Sequence, residues 1–593
     1  MSRVNLSQEN LIEVINNYLE WNNLPIKWDA EGVCRGLAIL HAQYALQNLE
    51  SQFFVLLEQI TNLMKNPYGA SCDQIDHFIA QVALISKPQE FDKQYSQSDS
   101  HKLAKVNGKP LASNFNLAMV TTAENWVQII KNEIKIQADE LFLVSSGRHS
   151  ITVQRKEGKY LVYNPNYPKG IKTIKNEKDL IEEMCSVFEQ KKSNAHLGFR
   201  FQNLSLLDIS ITERPLIQDI YKRYGTKDSL SKKFSTFDKA FAPIFLIAGM
   251  NDSSFIHYLI NNMKPSAQDL VFLRNHALVR SQNEIFKLVN NYIHNILDPI
   301  EREDDIRCRL LDAIEAGSLT IFEDLAQLDN GAVYRQFFST PRTARILLKA
   351  AAAGGQPDII RHIVSDIQNQ GYSEKIITTS GSKIVHQKSL SKLIFQEGED
   401  NDLLMQLINN DAHEGFVYLV SVTKHEGIEL PLDNIFLYLE RAIERNNYCL
   451  VNDVLDLLDK ERGKILNKEQ DKQLLINFSI STSQALKTNL MILNLLQERK
   501  VSFKPQILKV MKQKATHQVT FWEWLGIHLT SFVEFLKEQF GKQKHLEIYP
   551  RFLEVSKEMK TGEVSAQKNT VKPQVDPVLE STTEPLSGSK NHR

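Results

Sequence analysis

His149-Ser150-Ile151-Thr152-Val153-Gln154-Arg155-Lys156-Glu157-Gly158-Lys159-Tyr160-Leu161-Val162-Tyr163-Asn164-Pro165-Asn166 is the stretch from which the N-terminal fold is read. Ser150 to Arg155 and Tyr160 to Tyr163 are β-rich runs, and Glu157-Gly158 between them suits a two-residue turn. The pattern predicts a β-hairpin in which Lys156 opposes Lys159. Extending that register puts His149 opposite Asn166 and Ile151 opposite Asn164, with all four side chains on one face. His149 and Asn164 are then diagonal neighbours, roughly 7 Å apart at the backbone and within reach of an imidazole-to-amide hydrogen bond.

Upstream lies Gly32-Val33-Cys34-Arg35-Gly36-Leu37. The apolar positions Val33, Leu37, Leu40, Tyr44 and Leu46, with Ala38, Ala42 and Ala45, predict a helix that carries Cys34 in its first turn. Unpaired amides and the positive end of the helix dipole favour a thiolate at that place. A nucleophilic thiol needs an imidazole to take its proton, and the imidazole needs a third polar group to fix its tautomer. Cys34, His149 and Asn164 supply these three residue types in that order, which reads as a split cysteine-hydrolase site.

The helix start G-x-C-x-G-L, the H-S-I strand and the strand running into N-P-N-Y resemble the papain-fold cysteine proteases of bacterial effectors, the YopT and AvrPphB group. The intervals from Cys34 to His149 and from His149 to Asn164 are also like that family's. The resemblance covers roughly residues 1–210. It implies an α+β papain-like domain with Cys34 as nucleophile, His149 as general base and Asn164 as the orienting residue. The family has Asp where Asn164 stands, although papain itself uses Asn there. Papain-like enzymes also place an oxyanion-hole side chain, usually Gln, six residues before the Cys, and here that residue is Trp28. Asn22, Asn23 and the Cys34 amide are the alternative oxyanion donors.

With 593 residues the chain is too long for one core, and about 3 to 5 domains or a repeat array is expected. A net charge of −1, with Lys and Arg spread along the chain, gives no field that favours nucleic acid or an anionic membrane. Cys34, Cys72, Cys185, Cys308 and Cys449 are widely spaced and include no C-x-x-C pair, which argues for a reducing compartment and against zinc. His41, His77, His257, His276 and His362 lack metal-ligand spacing, and no Walker A or G-x-G-x-x-G pattern occurs. Neither a metal nor a cofactor is expected. Met1 to Asn10 has no apolar signal core, and no apolar run is long enough to span a bilayer.

Between residues 235 and 515 a weak repeat emerges. Anchored on Ala248, Ala277, Ala313, Ala351, Ile408 and Ala442, large apolar residues tend to recur eight, nine and twelve positions later, as in Ile321, Phe322 and Leu325. Polar or Gly-bearing breaks such as Glu315-Ala316-Gly317-Ser318 separate anchor from triplet, so each unit is expected to be a helix, a tight turn and a second helix. The early spacings bracket the ankyrin period of about 33 residues. The units resemble degenerate ankyrin repeats, whose T-P-L-H signature is absent here, and an α-solenoid of another class is the competing reading. Stacked helix pairs of either kind leave a concave face suited to binding proteins.

In the rest of the chain, a helix-like run from Lys178 to Gln190 and a β-like run from Ala195 to Ile211 are expected to complete the hydrolase sheet, with residues 211–234 as linker. Residues 516–556 are read as C-terminal capping and amphipathic helices. The aromatic stretch 517–541 within them suits the end of the repeat core, or peripheral contact with a membrane or partner groove. The tail, 557–593, is rich in Ser, Thr, Pro, Glu and Lys and is expected to be disordered. It resembles the translocation tails of type IV secreted effectors. The whole resembles the ankyrin-bearing effectors of Legionella, the ankyrin H type among them. That resemblance implies a virulence protein exported by a non-Sec route into the host cytoplasm or nucleus, with a cysteine protease acting on a host protein recruited by the repeats. Deamidation and acyl transfer use the same thiolate chemistry. A catalytically idle fold in a sequestering scaffold is the alternative.

Overall fold

A computed structural model describes residues 5–465 apart from 22–27, 29–32, 63–72, 89–96, 191–195, 207–211, 226–229, 231–232, 237–238, 379–380, 389, 395–401 and 446. The chain is mixed α and β, with a sheet in the N-terminal part and a helical C-terminal region. Six antiparallel strands form the main sheet: β1 Asn116–Thr121, β2 Leu141–Ser146, β3 His149–Lys156, β4 Lys159–Tyr163, β5 Ile171–Ile174 and β6 Leu197–Leu204. They lie in the order β1-β6-β2-β3-β4-β5.

The β3–β4 hairpin has the register read from sequence, with Lys156 opposite Lys159 and Val153 opposite Val162. Glu157 and Gly158 both adopt positive φ, 52° and 75°, the conformation that two-residue hairpin turns of the primed type require. β2 and β3 are joined as tightly, with Ser146 opposite His149 and Gly147 at a φ of 57° in the turn. His149 therefore opens its strand at one end of the sheet, beside that turn.

Strand alternation divides the apolar residues between two cores. Leu141, Leu143, Tyr163 and Leu204 face the helices α1 Gln8–Trp21, α2 Cys34–Leu46, α3 Glu50–Asn62 and α4 Asp73–Ser86. Phe142, Val144, Ile151, Val153, Phe199 and Phe201 belong to the opposite core, which continues without a break into the C-terminal helices. α2 is buried almost all round, as a helix wedged between a sheet and other helices must be. Gly36 permits its close approach to α4, because a Cβ there would lie 2.6 Å from the Val82 carbonyl oxygen. His41, on the sheet side of α2, bridges the Thr152 hydroxyl (2.8 Å) and the Glu50 carboxylate (3.0 Å) while its ring stacks on Tyr163.

The run expected to complete the sheet supplies a helix, Glu177–Val187, and β6. β6 lies between β1 and β2, well inside the sheet. The stretch 211–234, read as linker, contains the helix Ile217–Tyr224, whose Ile220 and Tyr221 are buried and whose Tyr221 hydroxyl donates to the Ala118 carbonyl of β1.

Among the described residues the helical region holds six helix pairs at the places the anchors mark, from Pro243–Ala248 with Ser253–Tyr258 to Leu432–Glu444 with Tyr448–Ile465. Every anchor is buried, and so are Ile321, Phe322 and Leu325 of the triplet that follows Ala313. The tight turns share a cause. Asn251, Ser281, Gly317, Gly355 and Asp411 all take positive φ just beyond the first helix of their pairs. The carbonyls of Ala277, Ala313 and Ala442 then accept the amides five residues on, at 2.8, 2.9 and 3.2 Å, closing each helix with a Schellman-type bond. One insertion is absent from the sequence reading: a hairpin of Tyr372–Thr378 and Gly381–Gln387 follows the helix Pro357–Gln370. The expectations for residues 466–515, the capping helices and the tail fall outside the described residues.

Candidate active site

Cys34 is the first residue of α2 and lies over the end of the sheet where β2 turns into β3. Its thiol donates to the Arg148 carbonyl at 3.4 Å, and the Ser150 amide donates to the sulfur. The sulfur is thus held by the backbone groups on either side of His149. Cys34 and His149 are both among the residues that line one cavity of about 480 Å³, and the His149 ring lies 6.0 Å from that of Phe188 in the core on the other face of the sheet from α2. The His149 ring is pinned from its far side: Nε2 lies 2.8 Å from Asn164 Oδ1.

That pairing fixes the tautomer. Asn164 Oδ1 also accepts the Asn166 amide at 2.9 Å, so the atom facing the imidazole is the carbonyl oxygen, which only accepts. His149 therefore carries its proton on Nε2 and keeps Nδ1 as an acceptor. The loop that presents Asn164 is itself closed. Asn164 donates its amide to Gly170 and accepts from Tyr167, both at 2.9 Å, while the chain leading into α1 clasps it through Leu6 N–H to Pro168 and Gln8 N–H to Pro165. Cys34, His149 and Asn164 are all buried, at 5, 3 and 3 % exposure.

Burial also sets the protonation states. It pushes the Cys34 thiol above its ordinary value against the Ser150 and Arg35 amides, the Arg35 charge and the Cys34 amide, all of which favour the thiolate. The first-turn position favours the thiolate, and desolvation outweighs it here. Burial lowers His149, opposed by the hydrogen bond to Asn164. The thiol and the imidazole are accordingly both neutral at rest, and among the described residues no hydrogen bond joins the Cys34 sulfur to the His149 ring.

Trp28 does not line the cavity. It is buried in the helical layer, with its amide and carbonyl bound to the Asn16 side chain at 2.7 and 2.8 Å. Asn22 and Asn23 lie outside the described residues. The sequence reading also left out the cavity's other wall. Phe245, Leu246 and His276 come from the helical region, and Arg200 comes from β6. No local pattern marks these residues, because only the packing of distant elements brings them to Cys34. His276, which lacks metal-ligand spacing in the sequence, is among them.

Among the described residues no group of His, Cys, Asp and Glu is arranged to hold a metal ion, and no helix is long and apolar enough to cross a membrane. Comparison of the chain with protein-family models, with curated proteins and with solved structures finds no match in any of the three.

Proposed function

We propose that this chain is a thiol-dependent amide hydrolase, a papain-like cysteine protease domain joined to an ankyrin-like helical array that recruits a host protein, acting as a bacterial effector inside the host cell. The observation that carries the chemistry is the bond from His149 Nε2 to Asn164 Oδ1, with the Cys34 sulfur held by the residues flanking that histidine. In the proposed reaction His149 Nδ1 takes the Cys34 proton as the sulfur attacks the carbonyl carbon of the target amide. The C–N bond breaks, His149 returns the proton to the leaving amine, and a water deprotonated by His149 hydrolyses the thioester. Deamidation follows the same steps with ammonia as the leaving group.

The test is alkylation of the full chain by a peptidyl chloromethyl ketone, followed by peptide mass mapping. Selective modification of Cys34 in the wild type and its loss in His149→Ala support the reading. A variant lacking the imidazole that reacts at the wild-type rate overturns it. One observation favours the second reading, a sequestering scaffold with an idle hydrolase fold: the thiol is 5 % exposed and its ionisation is disfavoured. Under that reading Cys34 stays unmodified in both proteins.

A further inference from the structure

Among the described residues, every charged residue that lines the cavity beside Cys34 is cationic. Arg35, Lys87, Arg148, Arg200 and Arg280 reach it from α2, the end of α4, the β2–β3 turn, β6 and the helix that ends at Val279, and no carboxylate among the described residues lines it. In a chain whose net charge is −1, composition does not produce such a lining. It is assembled from distant segments on both sides of the cleft.

We propose that this cavity is an oxyanion-binding subsite, and that the substrate of the Cys34 centre carries a carboxylate or phosphate group next to the acyl carbon that the thiol attacks. The inference rests on the thiol-hydrolase reading for its reaction and on the cation lining for its specificity. Arg200 is 7 % exposed and among the described residues is held by neutral partners, Asn116 Oδ1 at 2.9 Å and Gln202 Oε1 at 3.3 Å. Its orientation is therefore fixed while no carboxylate among the described residues contacts it. Arg35 bonds through Nε to the Ser100 hydroxyl at 3.0 Å, and among the described residues its Nη2 is buried without a hydrogen-bond partner. His276 Nδ1, on the opposite wall, is likewise buried and unsatisfied.

Among the described residues Asp99 is the carboxylate whose charge acts on both Arg35 and Arg200, and it forms an ion pair with Lys102 at 3.0 Å. Burial lowers Arg35 to about 10, with Arg280 repelling it, and lowers Arg200 well below the usual guanidinium value, with Arg35 repelling it. Uncompensated guanidinium groups in a partly dry cleft are costly to maintain, and an anion with several acceptor oxygens satisfies both their charge and their donors. A neutral peptide satisfies neither.

The proposal is tested by calorimetric titration of the full chain with inorganic phosphate and, separately, with succinate, the ionic strength being held with chloride. At least one anion is expected to bind saturably, and the tighter of the two identifies a phosphoryl or a carboxylate ligand. Arg280→Gln, at a half-buried helix end, is expected to weaken that binding about tenfold, the loss of one charge-assisted hydrogen bond. Arg200→Lys keeps the charge, loses the fork geometry and should weaken it as well. The bound anion should also slow chloromethyl ketone alkylation of Cys34. The proposal is overturned if neither anion gives a saturable heat, or if both folded variants bind as the wild type does. Anion binding without any Cys34 alkylation removes the hydrolase reading and leaves the subsite, whereas alkylation without anion binding removes the subsite alone.

Discussion

His149 donates its Nε2 proton to Asn164 Oδ1 over 2.8 Å, and the same oxygen accepts the Asn166 amide, so an uncharged side chain holds the imidazole in the tautomer that leaves Nδ1 as the acceptor. Asn164 orients His149 without adding a negative charge beside it. The distinction matters because burial already holds His149 below its ordinary value.

The pH dependence of Cys34 alkylation follows from that arrangement. Neutral His149 is the form that accepts the thiol proton, so the rate should fall only as His149 is protonated, with its acid limb below the ordinary imidazole value near 6.5. The hydrogen bond that His149 donates to Asn164 raises His149 against burial, so Asn164→Ala should move the limb to lower pH, and Asn164→Asp should move it upward by adding charge. Rates of alkylation between pH 4 and 9, read by mass spectrometry, check both directions. An acid limb that does not respond to residue 164 contradicts the assigned tautomer.

Removing Asn164 also has a cost to stability. Asn164→Ala leaves the Nε2–H of His149, which is 3 % exposed, without its acceptor and releases the Asn166 amide. A buried donor left unsatisfied costs about 1–3 kcal/mol. Urea unfolding followed by near-UV circular dichroism should show a lower midpoint in the variant, and an unchanged midpoint implies that water replaces the amide.

Gly36 links packing to the site. A methyl group there meets the Val82 carbonyl oxygen at 2.6 Å and the Ser86 hydroxyl at 2.3 Å, two residues beyond Cys34 on the same helix. Backbone cannot rotate away, so Gly36→Ala should push the start of α2 off α4 and cost about 1–3 kcal/mol, reduced by the better helix propensity of Ala. Because Cys34 rides on that turn, its alkylation should slow more than the stability loss alone explains. A variant with wild-type stability and reactivity would show that α4 yields instead.

What was legible in the sequence is what short-range periodicity encodes. The β3–β4 register follows from alternation and one turn, and it carried the His149–Asn164 contact with it. The helix pairs were legible because small anchors and left-handed turns recur at similar intervals, as at Ala313 with Gly317 and Ala351 with Gly355. The hairpin Tyr372–Gln387 was not, since Tyr372-Ser-Glu-Lys-Ile-Ile-Thr lacks strict alternation and interrupts a helical pattern. Nor was the cation lining, because Arg35, Arg200 and Arg280 are neighbours only after three separate elements pack together. At Cys34 the helix dipole is local and readable, whereas the desolvation that pushes the thiol up depends on the whole cleft.

Asp305 in the helical region offers a test of how its pairs are tied together. Arg274, 4 % exposed, makes a two-pronged contact with the Asp305 carboxylate at 2.6 and 2.9 Å, and His294 Nε2 lies 2.9 Å from the same group, so three successive helices meet there. Burial pushes the carboxyl up, but the hydrogen bonds from His294 and Arg274 outweigh it and hold Asp305 down to about 2. Its folded value is depressed below the unfolded value of about 3.9, so the stability it contributes is complete above that value and is lost as pH falls toward 2. Asp305→Asn strands a buried guanidinium, which costs about 3–5 kcal/mol at neutral pH. The gap in urea midpoint between wild type and variant should therefore be large at pH 7 and shrink at pH 2.5. A gap that stays constant over that range would mean that the carboxylate is not what joins these helices.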